Sequence, residues 1–360
     1  MRTHSYKAVV FSLTLPSVLL LTMFLFSQRS PLFADWLHSV VGTAVRAVLG
    51  IVTSLIPFSL AELTLFLLPL WCFLLIRHLR RLRDRTAELK MFLIRALSAL
   101  CLVLFLFFTA LGVGYRTTPL EQRMELPIGE ITVARLTEAS RILTEEVNRL
   151  AGEVDFEEGG ASFSPISFAQ LSDSLNRAFG NVGEALPFLS QFPSKPKPLL
   201  SSLPFSYTNI TGVFSFFTGE ANINVNYPDY TIPFTVAHEM AHQRGIARED
   251  EANFVAFLVC TASDHPYIRY SGYLNLLEYV NNALAQADKE AFRNAWESLL
   301  PEVQKEIRAY NVFFQKYQGT VIKDIFESLN DTYLKGNGTE GVVSYALVVR
   351  LACAYLTPPR

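Results

Sequence analysis

Three long apolar runs in the first 115 residues constrain this chain more than any other feature. A helix needs about 20 mostly apolar residues to cross a bilayer, and Ala8–Ser27, Pro57–Ile76 and Met91–Gly114 all reach that length. Basic residues gather at one set of their ends. Arg2, His4 and Lys7 precede the first run, and Arg77, Arg80, Arg81, Arg83, Arg85 and Lys90 separate the second from the third. The stretch joining the first two runs carries only Arg29 and Arg46, against Asp35, with Glu62 early in the second run. Lysine and arginine near membrane ends stay in the cytoplasm, so the N-terminus and the 77–90 loop are expected inside and everything after about residue 115 outside. No clear small-x-small cleavage site follows Ser27, which favours a retained helix over a signal peptide. Residues 31–56, interrupted by Asp35, His38, Thr43 and Arg46, suit an interfacial amphipathic helix better than a further span.

The two parts of the chain differ in composition. Hydrophobic residues make up 50% of the whole and charged residues 18%, but the apolar excess lies in 1–115, and 116–360 reads as an ordinary folded domain. The expected organisation is therefore a multi-pass membrane anchor at 1–115 and an extracytoplasmic domain at 116–360. A net charge of −2 and the lack of a basic stripe with interleaved aromatics in the C-terminal part speak against a nucleic-acid partner. Of the four cysteines none forms a CxxC pair, and Cys260 and Cys353, set among apolar residues, read as two buried free thiols.

Within the outer part, 116–127 reads as a short linker. Helical periodicity follows over 131–151 and 168–179, and Pro193, Pro196 and Pro198 mark an irregular connection. Val213–Asn226, with Thr218-Gly219 at its centre, predicts a hairpin or an extended edge strand. The chain then turns helical through Cys260 with one break at Gly245, and further helices fill 272–356. The expected fold is mainly α with a small β-sheet.

The chemistry lies in His238-Glu239-Met240-Ala241-His242. HExxH on a helix puts both histidines on one face, where their imidazoles can grip one zinc ion at about 2.0–2.1 Å. Glu239, about 100° around the helix from His238, can face the water on the metal and take its proton. A hydrolytic zinc site usually takes three protein ligands and keeps one position open. The HExxHxxGxxH pattern would put a third histidine at 248, where this chain has Arg248. A carboxylate is the natural replacement, and Glu249, Asp250 and Glu251 are near. On one unbroken helix Glu251 would face away from His242, and Glu249 would lie about 10 Å along the axis. Either therefore needs a turn, for which Gly245 is well placed. Periodicity leaves the three acids open.

The segment HEMAHQRGIAREDEANFVAFLVC resembles the gluzincin peptidases, whose third ligand is a glutamate on the following helix. Its EANFVAF portion is similar to the ImmA/IrrE-like metallopeptidases, whose ligand is the glutamate before Ala-Asn. This resemblance implies a zincin-like domain, a zinc cofactor held by His238, His242 and Glu251, and Glu239 as the catalytic base. TGEANIN, PFTVAHEMAHQRG, EDEANF, YSGYLN and GVVSYA also resemble a bacterial membrane family known only as a domain of unknown function. That likeness places the chain in a bacterial cell membrane, makes the Asn209, Asn330 and Asn337 glycosylation triplets coincidental, and establishes no substrate. Weaker candidates are His265, Tyr270 and Tyr273 as oxyanion donors, Asp250 as an orienting group, and the 213–226 strand as a partner for an extended substrate. The leading expectation is a zinc peptidase acting on peptides or proteins near the membrane surface. A membrane receptor or sensor with a zinc-peptidase-like domain and a cell-wall amide hydrolase are the alternatives.

Overall fold

A computed structural model describes residues 2–158, 160–339 and 347–358. The GVVSYA stretch at 341–346 lies outside the described residues, as do the side chains of Arg2, His4 and Lys7. The apolar N-terminal part is helical: α1 (Arg2–Arg29), α2 (Pro31–Leu37), a π-helical turn at His38–Gly42, α3 (Thr43–Thr53), α4 (Leu60–Leu82) and α5 (Thr86–Ala110). Pro31–Thr53, Leu60–Leu82 and Thr86–Ala110 are long and apolar enough to cross a membrane, which marks the chain as membrane-associated, and Leu15–Arg29 is a shorter apolar helix.

The 31–53 rod has the length and hydropathy of a span, but its start is held at the residues just after α5 and its end at the sheet beside the start of α4, so both ends lie on one side, in keeping with the interfacial placement expected. The polar residues that argued against a span are taken up by protein. Arg46 donates to the carbonyls of Ala110 (3.0 Å) and His38 (3.3 Å). Asp35 accepts from the Thr118 amide at 3.0 Å, from the Thr118 hydroxyl at 2.6 Å and from Arg123. Polar groups in an apolar setting persist when they are paired in this way.

The rest of the chain forms α6 (Leu120–Arg123), α7 (Val133–Ala151), α8 (Phe168–Ala185), β1 (Lys197–Pro198), α9 (Ser202–Phe205), β2 (Gly212–Ser215), β3 (Glu220–Ile223), α10 (Thr231–Gln243), α11 (Glu249–Thr261), α12 (Pro266–Ala287), α13 (Lys289–Glu297), α14 (Pro301–Gln315), α15 (Val321–Gly336) and α16 (Val348–Leu356). The fold is mainly helical with a three-stranded sheet ordered β1-β3-β2. β3 pairs parallel with β1 and antiparallel with β2, Phe214 opposite Ala221. The hairpin expected at 213–226 is the β2–β3 pair. One apolar core joins α7, α8, α10, α11, α12 and α16, among them Leu143, Phe179, Val236, Phe254 and Leu277. Cys260 and Cys353 are buried free thiols.

Residues 116–127 are more than a linker. Leu120 is buried, and its amide donates to Glu251 at 2.8 Å. The turn between α3 and α4 is likewise clasped to the sheet. Lys197 donates to the carbonyls of Thr53 (3.1 Å), at the end of α3, and of Ile56 in the turn that follows. Glu220 accepts the Leu60 and Ala61 amides, both at 3.0 Å, at the start of α4. A cation thus meets the carbonyl end of one helix and a carboxylate the amide end of the next, filling valences a helix terminus leaves open.

α10 is buried along nearly its whole length and ends in a Schellman turn, with Ile246 N–H to Ala241 O and Gly245 N–H to His242 O, both at 3.0 Å. Gly245 has φ +105°, and a Cβ there would lie 2.5 Å from His38 Nε2 and 2.6 Å from Arg46 Nη2. Gly245→Ala is therefore expected to cost roughly 1–3 kcal/mol from the backbone alone, with the two contacts adding to it. Thermal unfolding of the detergent-solubilised protein checks this, and an unchanged midpoint would contradict it.

Candidate metal centre

His238 and His242 lie one turn apart on α10, and their Nε2 atoms are 3.0 Å from each other. The Schellman turn does more than end the helix. It brings the Ile246 carbonyl 2.6 Å from His242 Nδ1. A carbonyl can only accept, so Nδ1 carries a proton, and in the neutral ring the lone pair is on Nε2, facing the cluster.

From Gly245 the chain doubles back, Arg248 adopts extended backbone, and α11 begins at Glu249. Glu249 Oε2 stands 3.2 Å from His238 Nε2 and 3.3 Å from His242 Nε2. These three are the group of possible metal-holding side chains among the described residues. Tetrahedral zinc with bonds of about 2.0–2.1 Å holds its ligands ~3.3 Å apart, so the donor set fits such an ion.

Glu251, expected as the third ligand, points elsewhere. Its Oε1 accepts from the Leu120 amide at 2.8 Å and from Arg248 at 2.9 Å. Two residues along a helix rotate a side chain by about 200°, so with Glu249 turned to the histidines Glu251 must face the 115–120 strap. The objection to Glu249 assumed a continuous helix, and the turn at Gly245 removes it. Asp250 lies between the two, and burial first, then the Glu251 charge, pushes its carboxyl up to about 6.

Burial alone would lower the His242 imidazole, yet the charge and hydrogen bond of Glu249 overcome this and hold it at about 9. Burial likewise opposes the ionised form of Glu249, but the two histidines pull its carboxyl well below the usual carboxylate range. Glu239 is buried beside the pair. Desolvation raises its pKa, with Glu249 adding and both histidines and the Phe214 amide opposing. Its Oε2 has no hydrogen-bond partner. Strand β2 closes over it so tightly that a Cβ on Gly212 would come within 2.7 Å of Glu239 Oε1.

The weaker candidates serve α12 instead. His265 caps that helix by accepting the Tyr267 amide at 3.2 Å. Tyr270 donates to buried Glu306 at 2.5 Å, and Tyr273 packs edge-on against Phe257. Tyr333, which no sequence signal marks, comes to the site from α15. It accepts from the Tyr115 hydroxyl at 3.4 Å, and burial first, then the Glu249 charge, raises it to about 12.

A fold of apolar N-terminal helices clasped to a helical domain around a His–His–Glu cluster defines a membrane-associated protein with a candidate metal centre. Residues 40–353 match the family described as protein of unknown function (DUF3810), and the chain belongs to that family. No curated protein and no solved structure matches it.

Proposed function

We infer that this protein is a zinc-dependent hydrolase of zincin-like type, a peptidase acting outside the cytoplasm and held there by several membrane-crossing helices. The observation that carries this reading is the convergence of two imidazole nitrogens and one carboxylate oxygen at 3.0–3.3 Å, one imidazole oriented by a backbone carbonyl, next to a buried glutamate with a free oxygen. A zinc ion bound there supplies Lewis-acid polarisation of a carbonyl and lowers the pKa of a water. Glu239 is the base. A carboxyl raised by desolvation holds a proton more readily than an exposed one, which suits uptake from water and return to a leaving amine. β2 lies at an edge of the sheet, and an extended peptide can add to such an edge through backbone hydrogen bonds. The cluster of basic residues at 77–90 argues for a cytoplasmic turn there, with the sheet and the histidines on the opposite face.

The test is zinc binding by the purified full-length chain. About one zinc per chain is expected, removable by chelator. With His242 at about 9 in the metal-free protein, binding below that pH must displace its proton. Affinity is therefore expected to fall about tenfold for each pH unit lowered from 9 towards 7. A chain that binds no zinc at any pH would overturn the reading.

A further inference from the structure

α15 carries an apolar stripe that no other part of the described protein covers. Ile322, Ile325, Phe326 and Leu329 are all exposed and at helical spacing fall within about 100° of one another. Lys323, Asp324, Glu327 and Asp331 occupy the opposite side. The stripe is open over the first part of the helix and closes at its far end, where Tyr333 packs on Phe107 with ring centroids 6.2 Å apart. Phe107 belongs to the last turn of α5, whose neighbouring Leu104 is exposed on a helix long and apolar enough to cross a membrane.

The near end of α15 is tied to the same level. The Thr320 hydroxyl donates to the Tyr207 carbonyl, just after α9, which exposes Leu203, and α9 is preceded by Leu200, 82% exposed. The Leu200 amide donates at 3.1 Å to Glu62 in the first turn of α4. α4 and α5 are antiparallel neighbours joined by a short turn, so the start of one and the end of the other lie on the same side of a bilayer. A helix about 24 Å long, tied at one end near the start of α4 and at the other to the end of α5, runs along the surface from which both helices leave the lipid.

We propose that α15, with Leu200 and Leu203, is a lipid-binding element that lies in the outer leaflet interface, its Ile322–Leu329 stripe buried among headgroups and acyl chains. The occupant is lipid because the helix is tied to the end of α5, beside exposed Leu104, and through Tyr207 and Leu200 to the start of α4, and its charged side points away. An amphipathic helix with large apolar side chains on one face and charges on the other lies in the interface plane in this way. Tyr333, on the same helix, packs on Phe107 at the end of α5 and on Tyr115 just after it. The proposal rests on the membrane-spanning reading of α4 and α5.

Spin labels on the full-length chain in phosphatidylethanolamine and phosphatidylglycerol vesicles test it, with Cys72→Ser and Cys101→Ser removing the accessible native thiols. Labels are placed singly at Phe326, Leu329, Glu327 and Ser328, with Leu68 of α4 as a membrane control. The ratio of oxygen to nickel-chelate collisions is expected to be several-fold higher at Phe326 and Leu329 than at Glu327 and Ser328. Ile322 and Ile325 read the same face should a label at Phe326 disturb the fold. Nickel-rich collisions at all four positions would put α15 in water and overturn the proposal. Few collisions of either kind at Phe326 and Leu329 would mean a protein partner or a second copy covers the stripe, and would overturn it too. A Leu68 label open to nickel would overturn the spanning reading and this proposal together, whereas a lipid-facing Leu68 with a water-facing stripe would overturn this proposal alone.

Discussion

Glu239→Gln in the full-length protein is expected to keep its zinc and to lose hydrolysis by roughly 10²–10⁴-fold, the range a positioned general base contributes. The carboxamide is nearly isosteric, and Glu239 is not among the three clustered donors, so the metal-holding groups and the close fit of Gly212 against its side chain are undisturbed. What is lost is the ability to take a proton. The assay is cleavage of a mixture of internally quenched peptides by detergent-solubilised wild type and variant, with zinc content measured on the same samples. A fully metal-loaded Glu239→Gln protein that cleaves at the wild-type rate would remove Glu239 from the chemistry. Loss of zinc in the variant would instead make it a structural support of the cluster.

The second large effect separates two neighbouring acids. Glu249→Ala is expected to abolish stoichiometric zinc binding, because it leaves two imidazoles without the oxygen that stands 3.2 and 3.3 Å from them. Glu251→Ala is expected to keep zinc and to lose about 1–3 kcal/mol of stability, since the buried Leu120 amide and the Arg248 guanidinium lose their acceptor. Zinc content and thermal midpoint of the two variants, read together, decide the matter. Zinc retained in Glu249→Ala and lost in Glu251→Ala would reverse the assignment and return it to the glutamate before Ala-Asn. Equal zinc loss in both would mean that Glu251 holds the start of α11 in place strongly enough to govern Glu249.

HExxH is a local pattern: helical spacing alone puts His238 and His242 on one face, and the glycine that ends α10 is visible as a glycine. The acid that completes the group depends on how far the chain swings after Gly245 and at which residue the next helix starts, and neither is encoded in periodicity. Because α11 begins at Glu249, a rotation of about 200° over two residues separates a carboxylate that faces the two histidines from one that ties down the 115–120 strap. The EAN resemblance pointed to the second of these, since a shared short motif does not fix the register at which a helix begins.

The same contrast holds across the molecule. Apolar helices with basic residues at one set of ends in the first 115 residues, a helical domain with a short hairpin after them, and two histidines and a glutamate on one helix are all legible in the sequence. These depend on composition, alternation and spacing over a few turns. Only the folded arrangement gives Arg46 and Asp35 partners across the fold, clasps the α3–α4 turn to the sheet through Lys197 and Glu220, closes β2 over Glu239, and packs Tyr333 on Tyr115 and Phe107. Each of these joins residues distant in the chain through packing of one element on another, and only the folded arrangement sets those distances.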